Sequence, residues 1–396
     1  MLDETQSEAG KILTDRRLVK YKPFSKLVEA AAREQNIGAG RIFRDILGFF
    51  FRKYGLSPDE YFAYRVYRKD LTRAEKREFI SEIGNFKLNC RLSPPELTQM
   101  RGFLGDKFAF PAFLQQAGLP TTETQAIFTP DRFTGALPAV RDSDGIVAFL
   151  EKDARFPIFG KPSKGAQALG TVRIDAVDAE SGQAQLHDGR VVSVRALAEE
   201  IVRDFPDGYL LQSVVEQHPA LTEMVGETLA TLRLVTVIEE VEPTVLYALW
   251  KIPSPKAMSD NFWQQGSMLA WLNAEIGEVE RCIVGTGSEQ EEIAIHPMSG
   301  KDILRFRLPH WSEAVDLVKK AHALFPVNGC LGWDVAIGSD GPLLVECNEN
   351  PAHNFYQLGT GRGVLNPELQ AAFNRVVARN LRFVAGLKER KYKVGR

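Results

Sequence analysis

Up to about residue 120, apolar positions recur at helical spacing. The segments FSKLVEAAAREQN, AGRIFRDILGFFFRKYG and SPDEYFAYRVYRK place apolar side chains three or four positions apart, which predicts amphipathic helices. Ser57-Pro58-Asp59-Glu60 opens one of them with a capping serine, a proline at the first position and acids in the first turn. RAEKREFISEIGNF continues the pattern, its charges forming a solvated outer face. GDKFAFPAFLQQAGLPTTETQAIF then predicts a short helix, a Gly-Leu-Pro stop and a strand.

From about Phe156 the period shortens. PIFGKPS, YLLQSVV, LRLVTVI, TVLYALW, SMLAWLN, CLGWDVAI and PLLVECN read as strands, punctuated by Gly, Pro, Asn and Asp. Helical segments intervene at VRALAEEIVRDF and HWSEAVDLVKKAHALF. Asn366-Pro367-Glu368 starts a final amphipathic helix that runs into the basic tail KERKYKVGR. No internal repeat or low-complexity segment interrupts the chain. The pattern predicts a helical N-terminal part followed by an α+β body.

Composition narrows the function. The 396 residues carry a formal net charge of -2, so there is no broad electrostatic footprint for nucleic acid. Cys90, Cys282, Cys330 and Cys347 stand far apart, which excludes a zinc knuckle or a close redox pair and points to a reducing cytoplasm. The first residues lack the apolar core of a signal peptide, and the longest greasy stretch, ILGFFF, is too short to span a bilayer. No G-x-S-x-G elbow, H-E-x-x-H or kinase motif set is present.

The stretch LLVECNENP (343–351) ends an apolar run in acids and amides. Side chains at i and i+2 of a strand share a face, so Glu346 and Asn348 point one way and Cys347 the other. Upstream, GWDVAIGSDGPLLVECN has the form of a hairpin. A three-residue loop from Ser339 to Gly341 places Asp334 opposite Glu346, whereas a two-residue Asp340-Gly341 turn puts Asp334 on the wrong face. In the first case three oxygen-bearing side chains meet, a donor set suited to magnesium. The bland alternative is a solvated sheet end.

Four further segments are candidates. In GKPSKGAQALGT (160–171) a strand delivers Lys161 into a small-residue loop, where glycines let backbone amides approach an anion; a plain hairpin gives the same pattern. LLQSVVEQHP (210–219) breaks from a strand into polar residues at an expected hinge. Its backbone could meet an adenine edge, with Glu216 on ribose hydroxyls, or it could simply be a strand leaving the core. Arg233, rooted in a strand, can pair an anion bidentately or form a structural salt bridge. Asp260-Asn261-Phe262 precedes WQQGSM. His353 is a candidate acid or base or a satisfied polar residue, and GTGRG (359–363) lacks the strand and helix of a dinucleotide loop.

Taken in order, Asp106-Lys107, FGKPSKGAQALGT, LLQSVVEQHPAL, TLRLVT, DNF…QGS, LGWDVAI and LLVECNENP resemble the ATP-grasp superfamily, and within it the sugar-transfer-associated group. The resemblance covers roughly Gly105 to Pro351. It implies an α+β ATP-grasp fold, in which two α+β lobes clasp ATP, preceded here by a mainly helical region. The corresponding division is 1–104 helical, 105–225 linker and smaller lobe, and 226–396 larger lobe. It implies that Lys107 and Lys161 contact ATP phosphates and that the loop Ser163 to Gly170, with Lys164 and Gly165, closes over them. Gln212, Ser213, Val214 and Val215 would line the adenine site, with Glu216 near the ribose. Asp334, Glu346 and Asn348 would hold one or two Mg2+ ions, and Arg233, a catalytic candidate with Lys161, would face the reacting phosphate or the substrate carboxylate. The implied reaction is carboxylate activation as an acyl phosphate, followed by displacement with an amine or thiol. Its substrates would be small molecules, without nucleic acid, and a homodimer is open. A phosphotransferase, or a non-catalytic partner of a glycan-assembly complex, are the rival readings. Two departures lie on the acceptor side: helices replace the usual Rossmann-like N-terminal domain, and Gln265-Gly266 stands where the group often has paired glycines.

Overall fold

The computed structural model describes residues 11–13, 23–98, 100–165, 169–254, 257–260 and 262–394. The N-terminal part forms α1 (Phe24–Gln35), α2 (Ala39–Phe50), α3 (Pro58–Ala63), α4 (Arg73–Lys76), α5 (Glu82–Leu92), α6 (Arg101–Leu104) and α7 (Ala109–Gln116). Ser57 and Glu60 form a full capping box on α3, and Thr72 and Glu75 form another on α4. Both helices are shorter than their apolar spacing suggested. α3 stops at Ala63 because the chain turns back through Arg65 in the left-handed region. The RAEKREFISEIGNF segment is split, since Ser81 caps a new helix, α5.

Two seven-stranded sheets follow. The smaller contains β1 (Thr124–Phe128), β2 (Ala139–Val140), β3 (Ile158–Pro162), β4 (Val172–Asp178), β5 (Gln183–Leu186), β6 (Val191–Ser193) and β7 (Tyr209–Ser213), in the order β2-β1-β7-β3-β4-β5-β6. Its core face packs Phe128, Ile158, Ile174 and Leu211 on α8 (Ser143–Lys152) and α9 (Val194–Asp204). After α10 (Pro219–Val225), the larger sheet contains β8 (Thr231–Ile238), β9 (Pro243–Ile252), β10 (Met268–Leu272), β11 (Val279–Val284), β12 (Glu291–Glu292), β13 (Cys330–Gly338) and β14 (Gly341–Asn348). Its order is β12-β11-β10-β9-β8-β13-β14. α11 (Trp311–Ala323) precedes β13, and α12 (Asn354–Thr360) and α13 (Pro367–Val394) end the chain.

Alternation along β8 sorts the faces of the larger sheet. Leu232 and Leu234 enter a core with α7, α10 and α11. Val235 and Val237 enter the opposite core with Tyr61, Tyr67, Phe79 and Leu92 of the N-terminal part and Phe373 and Val376 of α13. Helices α1, α2, α3 and α5 are therefore a layer on that face of the sheet. Stripping them would expose Val235, Val237 and Leu249, each stabilising by about 1.5–3 kcal/mol when buried.

The chain crosses between the sheets at the β13–β14 hairpin. On entry, Leu344 N donates to Pro120 O at 2.9 Å and the Thr121 hydroxyl to Leu344 O at 2.7 Å. On return, His218 N donates to Ile337 O at 2.9 Å. Both crossings anchor the smaller sheet beside the polar end of the larger one. Among the described residues, no helix is long and apolar enough to cross a membrane.

Candidate active site

The β13–β14 hairpin forms the floor of the site, by a route neither expected turn gave. Its loop is the pair Ser339-Asp340, flanked by Gly338 opposite Gly341. That register alone would misplace Asp334. A bulge corrects it: Val335 pairs with Leu344, and the next pair is Asp334 with Glu346, leaving Val345 unmatched. Leu344 thus faces the α11-side core with Val335, while Glu346, two positions on, faces the other way with Asp334. Cys347 returns to the core, and Asn348 lies opposite Gly332. A Cβ on Gly332 would stand 2.9 Å from Pro351 Cβ, so glycine there lets the chain after β14 fold back over the sheet.

β8 and β9 supply the partners of Asp334. Arg233 pairs with Asp334 in the strand register, and its guanidinium donates to Oδ1 at 2.5 Å and Oδ2 at 3.2 Å. Lys251 donates to Asp334 Oδ2 at 2.9 Å and lies 2.7 Å from Asp260 Oδ2, on which the Thr231 hydroxyl also closes. Arg233, Lys251 and Asp334 are all buried. Burial opposes the Asp334 charge, but Arg233 and Lys251 outweigh it and hold the carboxyl well below the usual range. Burial likewise opposes the Lys251 charge, and Asp260 and Asp334 override it, raising its pKa. The Phe355 ring lies 5.5 Å from the guanidinium of Arg233. This network is internally satisfied.

Glu346 differs. Burial, and then the Asp334 charge across the strand pair, raise its pKa, while Lys107, Lys161 and Lys251 pull it back. Among the described residues its carboxylate has no hydrogen-bond partner. The buried Nδ2 of Asn348 also lacks one.

The smaller sheet presents Lys161 to this face. Gly160 points into that sheet's core, where a Cβ would meet the Tyr209 ring at 2.6 Å, so Lys161 takes the opposite side with Leu210 and Gln212. Lys161 is 8% exposed and has no ion-pair or hydrogen-bond partner among the described residues. Burial pushes its pKa down to about 8, an effect Glu346 moderates and Lys107 reinforces. Lys107 follows Asp106, whose carboxylate accepts from the Phe108 and Ala109 amides and is pinned by Arg132 at 2.8 Å. Its ammonium donates to Gly165 O at 3.0 Å.

The remaining expected residues divide. Ser163 donates its hydroxyl to Asp207 O, and Lys164 pairs with the Asp207 carboxylate at 2.9 Å. Gly165 and Gly170 both have positive φ. Gly170 O accepts from the Tyr209 hydroxyl, and a Cβ at Gly170 would strike the Phe205 ring at 2.2 Å. Residues 166–168 of this loop lie outside the described residues, as does Asn261 of the DNF motif. The Gln212 amide is held by Thr122 and Thr124 at 3.1 and 3.0 Å. Ser213 donates to Glu123 at 2.7 Å; Val214 and Val215 are half-buried and Glu216 is exposed at the crossing.

His353 is not poised for proton transfer. It is buried between the Tyr247 hydroxyl at 2.7 Å and Asn89 Oδ1 at 3.1 Å, and burial pushes its pKa down to about 3. Asn89 of α5 also donates to Asn350 and Pro351, so the N-terminal layer clamps the end of LLVECNENP. Lys251 was missed from sequence. The signal was its i+2 and i+4 relation to Leu249 and Tyr247, which puts it on the site face rather than at a strand exit.

Among the described residues, no three His, Cys, Asp or Glu side chains cluster as a metal site. The donor set for a cation is therefore Glu346, with its carboxylate open, and the Asn348 amide, with Asp334 alongside. A hard cation would take the Glu346 carboxylate and the Asn348 amide oxygen, not the orphaned Nδ2, which is a hydrogen-bond donor. Asp334 already faces Arg233 and Lys251, which makes it the weaker donor.

Residues 96–372 match the family model described as sugar-transfer associated ATP-grasp. No curated protein gave a significant match. Similar solved structures include a D-alanine-D-alanine ligase from Coxiella burnetii, 11% identical over 80% of this chain and 72% of that one, with a TM-score of 0.43. The VanG D-Ala:D-Ser ligase from Enterococcus faecalis is 10% identical over 71% and 63%, with a TM-score of 0.39. An L-amino acid ligase from Bacillus licheniformis is 12% identical over 69% of this chain, with a TM-score of 0.36; the chain spans 48% of that protein's length.

Proposed function

The chain belongs to the sugar-transfer associated ATP-grasp family, and on that premise we propose that it is an ATP- and magnesium-dependent ligase joining a small-molecule carboxylate to an amine or thiol. The observation that carries this reading is Lys161, a buried ammonium without a hydrogen-bond or ion-pair partner among the described residues, set toward the open carboxylate of Glu346. A buried charge is stable only when paired, so the site is built to receive an anion there. Residues 105–225 and 226–396 form the two lobes of the clasp in this reading, with α1, α2, α3 and α5 as a layer on the larger and Leu13 in the core of the smaller.

ATP is the substrate that fits. Lys161 and Lys107 hold its phosphates as point charges, and the loop from Ser163 to Gly170 covers them, with Lys164 at its edge. Val214 and Val215 line the adenine where the chain leaves β7, with Gln212 and Ser213 behind them, their backbone taken up by β1 and β3, and Glu216 meets the ribose. Magnesium held by Glu346 and Asn348, with Asp334 alongside, would neutralise phosphate oxygens. Arg233, kept in place by Asp334, faces the transferring phosphate. The substrate carboxylate oxygen attacks the γ-phosphorus and ADP leaves; an amine or thiol then displaces phosphate from the acyl phosphate. No protein nucleophile is required, and Cys347 lies on the opposite, core side of β14.

The test supplies ATP, magnesium, candidate carboxylates and hydroxylamine. Hydroxamate that requires both ATP and the carboxylate supports acyl phosphate formation. A stable phosphorylated product without hydroxamate assigns a phosphotransferase instead. ATP binding with neither product moves the chain to a non-catalytic nucleotide binder.

A further inference from the structure

The α2 helix is apolar on two sides. Ile42 and Phe49 bury themselves in the core with α3 and α5. The outer side carries Phe43, Leu47, Phe50 and Phe51, which are 52%, 61%, 74% and 80% exposed. Their spacing of four, three and one residues makes one continuous stripe. The rest of this surface is cationic. From Ala39 to Lys53 every exposed residue is apolar, glycine, arginine or lysine: Arg41, Arg44 and Lys53 flank the stripe, and none is acidic. The one acid of the helix, Asp45, is turned inward to Lys76 at 2.7 Å and the Tyr61 hydroxyl. Half-buried Arg52 reaches the carbonyl of Arg77, bringing another cation to the rim.

The neighbouring helix α1 shows what an ordinary solvated face looks like here. Its outer side alternates charge, with Glu29 paired to Lys26 at 3.2 Å and Arg33 at 2.8 Å. α5 extends the α2 surface instead. It meets the end of α2 through Tyr54, whose carbonyl accepts from Ser81 and whose hydroxyl accepts from Arg91. It adds exposed Ile83, Phe86, Lys87 and Arg91, with one exposed acid, Glu82, at its start.

We propose that the outer face of α2 is a docking surface for an anionic lipid bilayer, on which the helix lies in the interface plane. Protruding phenylalanines beside a leucine enter the headgroup boundary, and the flanking arginines and lysines meet lipid phosphates. The cationic rim that α2 itself carries, without an exposed acid from Ala39 to Lys53, complements a negatively charged surface. This proposal is independent of the nucleotide site.

The test is co-sedimentation of the full chain with phosphatidylcholine vesicles, with and without phosphatidylglycerol. The wild type is expected to pellet with the anionic vesicles and to be released by salt. Phe50→Ser with Phe51→Ser should weaken binding by roughly tenfold or more, and Arg44→Gln with Lys53→Gln by about tenfold. Thermal melts of these variants should match wild type, because the four side chains are exposed. No partition to either vesicle, equal binding to both, or wild-type binding by the phenylalanine variant overturns the proposal. So does sedimentation-velocity dimerisation lost in that variant without vesicle binding, which assigns the face to a second copy.

Discussion

Two buried lysines face the same cleft from different sheets, and their surroundings differ. Lys251 of the larger sheet holds Asp334 and Asp260, and those carboxylates raise its pKa against the effect of burial. Lys161 of the smaller sheet has no such partner among the described residues, and burial drives its pKa down to about 8. Both sit at the end of apolar strands, and both are nearly inaccessible. The contrast separates a lysine that completes the fold from one that, in the proposed function, is kept for a ligand. A paired buried cation is structural, and removing a partner from it is costly. An unpaired one destabilises the free protein, which makes it a functional-site candidate.

The sharpest break of the first half is Asp334→Asn. It leaves Arg233 and Lys251 buried with one carboxylate fewer, and urea unfolding should show a loss of about 3–5 kcal/mol. Lys251→Met leaves Asp334 and Asp260 each short of a partner, for a loss of about 3 kcal/mol by the same measurement. Lys161→Met should go the other way, with stability unchanged or raised by about 1–3 kcal/mol at pH 7. If both methionine variants destabilise alike, the comparison collapses.

The sign of the pH dependence follows from the same contrast. A lysine whose folded pKa lies below its unfolded value binds its proton more weakly when folded. Its charge therefore costs stability below about pH 8, and that cost fades between pH 8 and the usual lysine range. Urea midpoints of wild type and Lys161→Met should converge as pH rises through this window. ATP affinity should run opposite, weakening above about pH 8 as the ammonium that meets phosphate is lost. Titrations at several pH values check this, and Lys161→Arg should flatten the dependence. The smallest stability effect belongs to Glu346→Gln, within about 1 kcal/mol because the carboxylate has no hydrogen-bond partner to strand. Magnesium-dependent turnover should nonetheless be lost, and turnover near wild type would remove this residue from the site.

The hydrophobic pattern revealed the helical N-terminal part, the strand-rich body and the charged strand ends. Those are local properties of period and punctuation. It also put Asp334, Glu346 and Asn348 on one face, but through a turn that is not there. The loop is one residue shorter than required, and the bulge at Val345 makes up the difference. Simple alternation would place Leu344 beside Glu346, and only an unmatched residue sends one to the core and the other to the site. Nothing in LLVECN announces that bulge, because its position depends on the partner strand.

Alternation could have given the face Lys251 takes, but its pairing was illegible for a related reason. Its role depends on Asp260 and Asp334, brought together by a sheet whose strand order does not follow the chain. The docking of α5 on the loop after β14, through Asn89, rests on two residues 261 positions apart in sequence. Gln212 illustrates the opposite case, a polar residue on a strand whose side chain is taken up by Thr122 and Thr124.

The central claim is that Lys161 is kept unpaired for the phosphates of ATP. Isothermal titration of ATP with magnesium into wild type and Lys161→Met, side by side, tests it most directly. The account predicts saturable binding to wild type and at least roughly tenfold weaker binding to a variant that melts no lower. Equal affinity for the two proteins, or no binding to wild type, would contradict it.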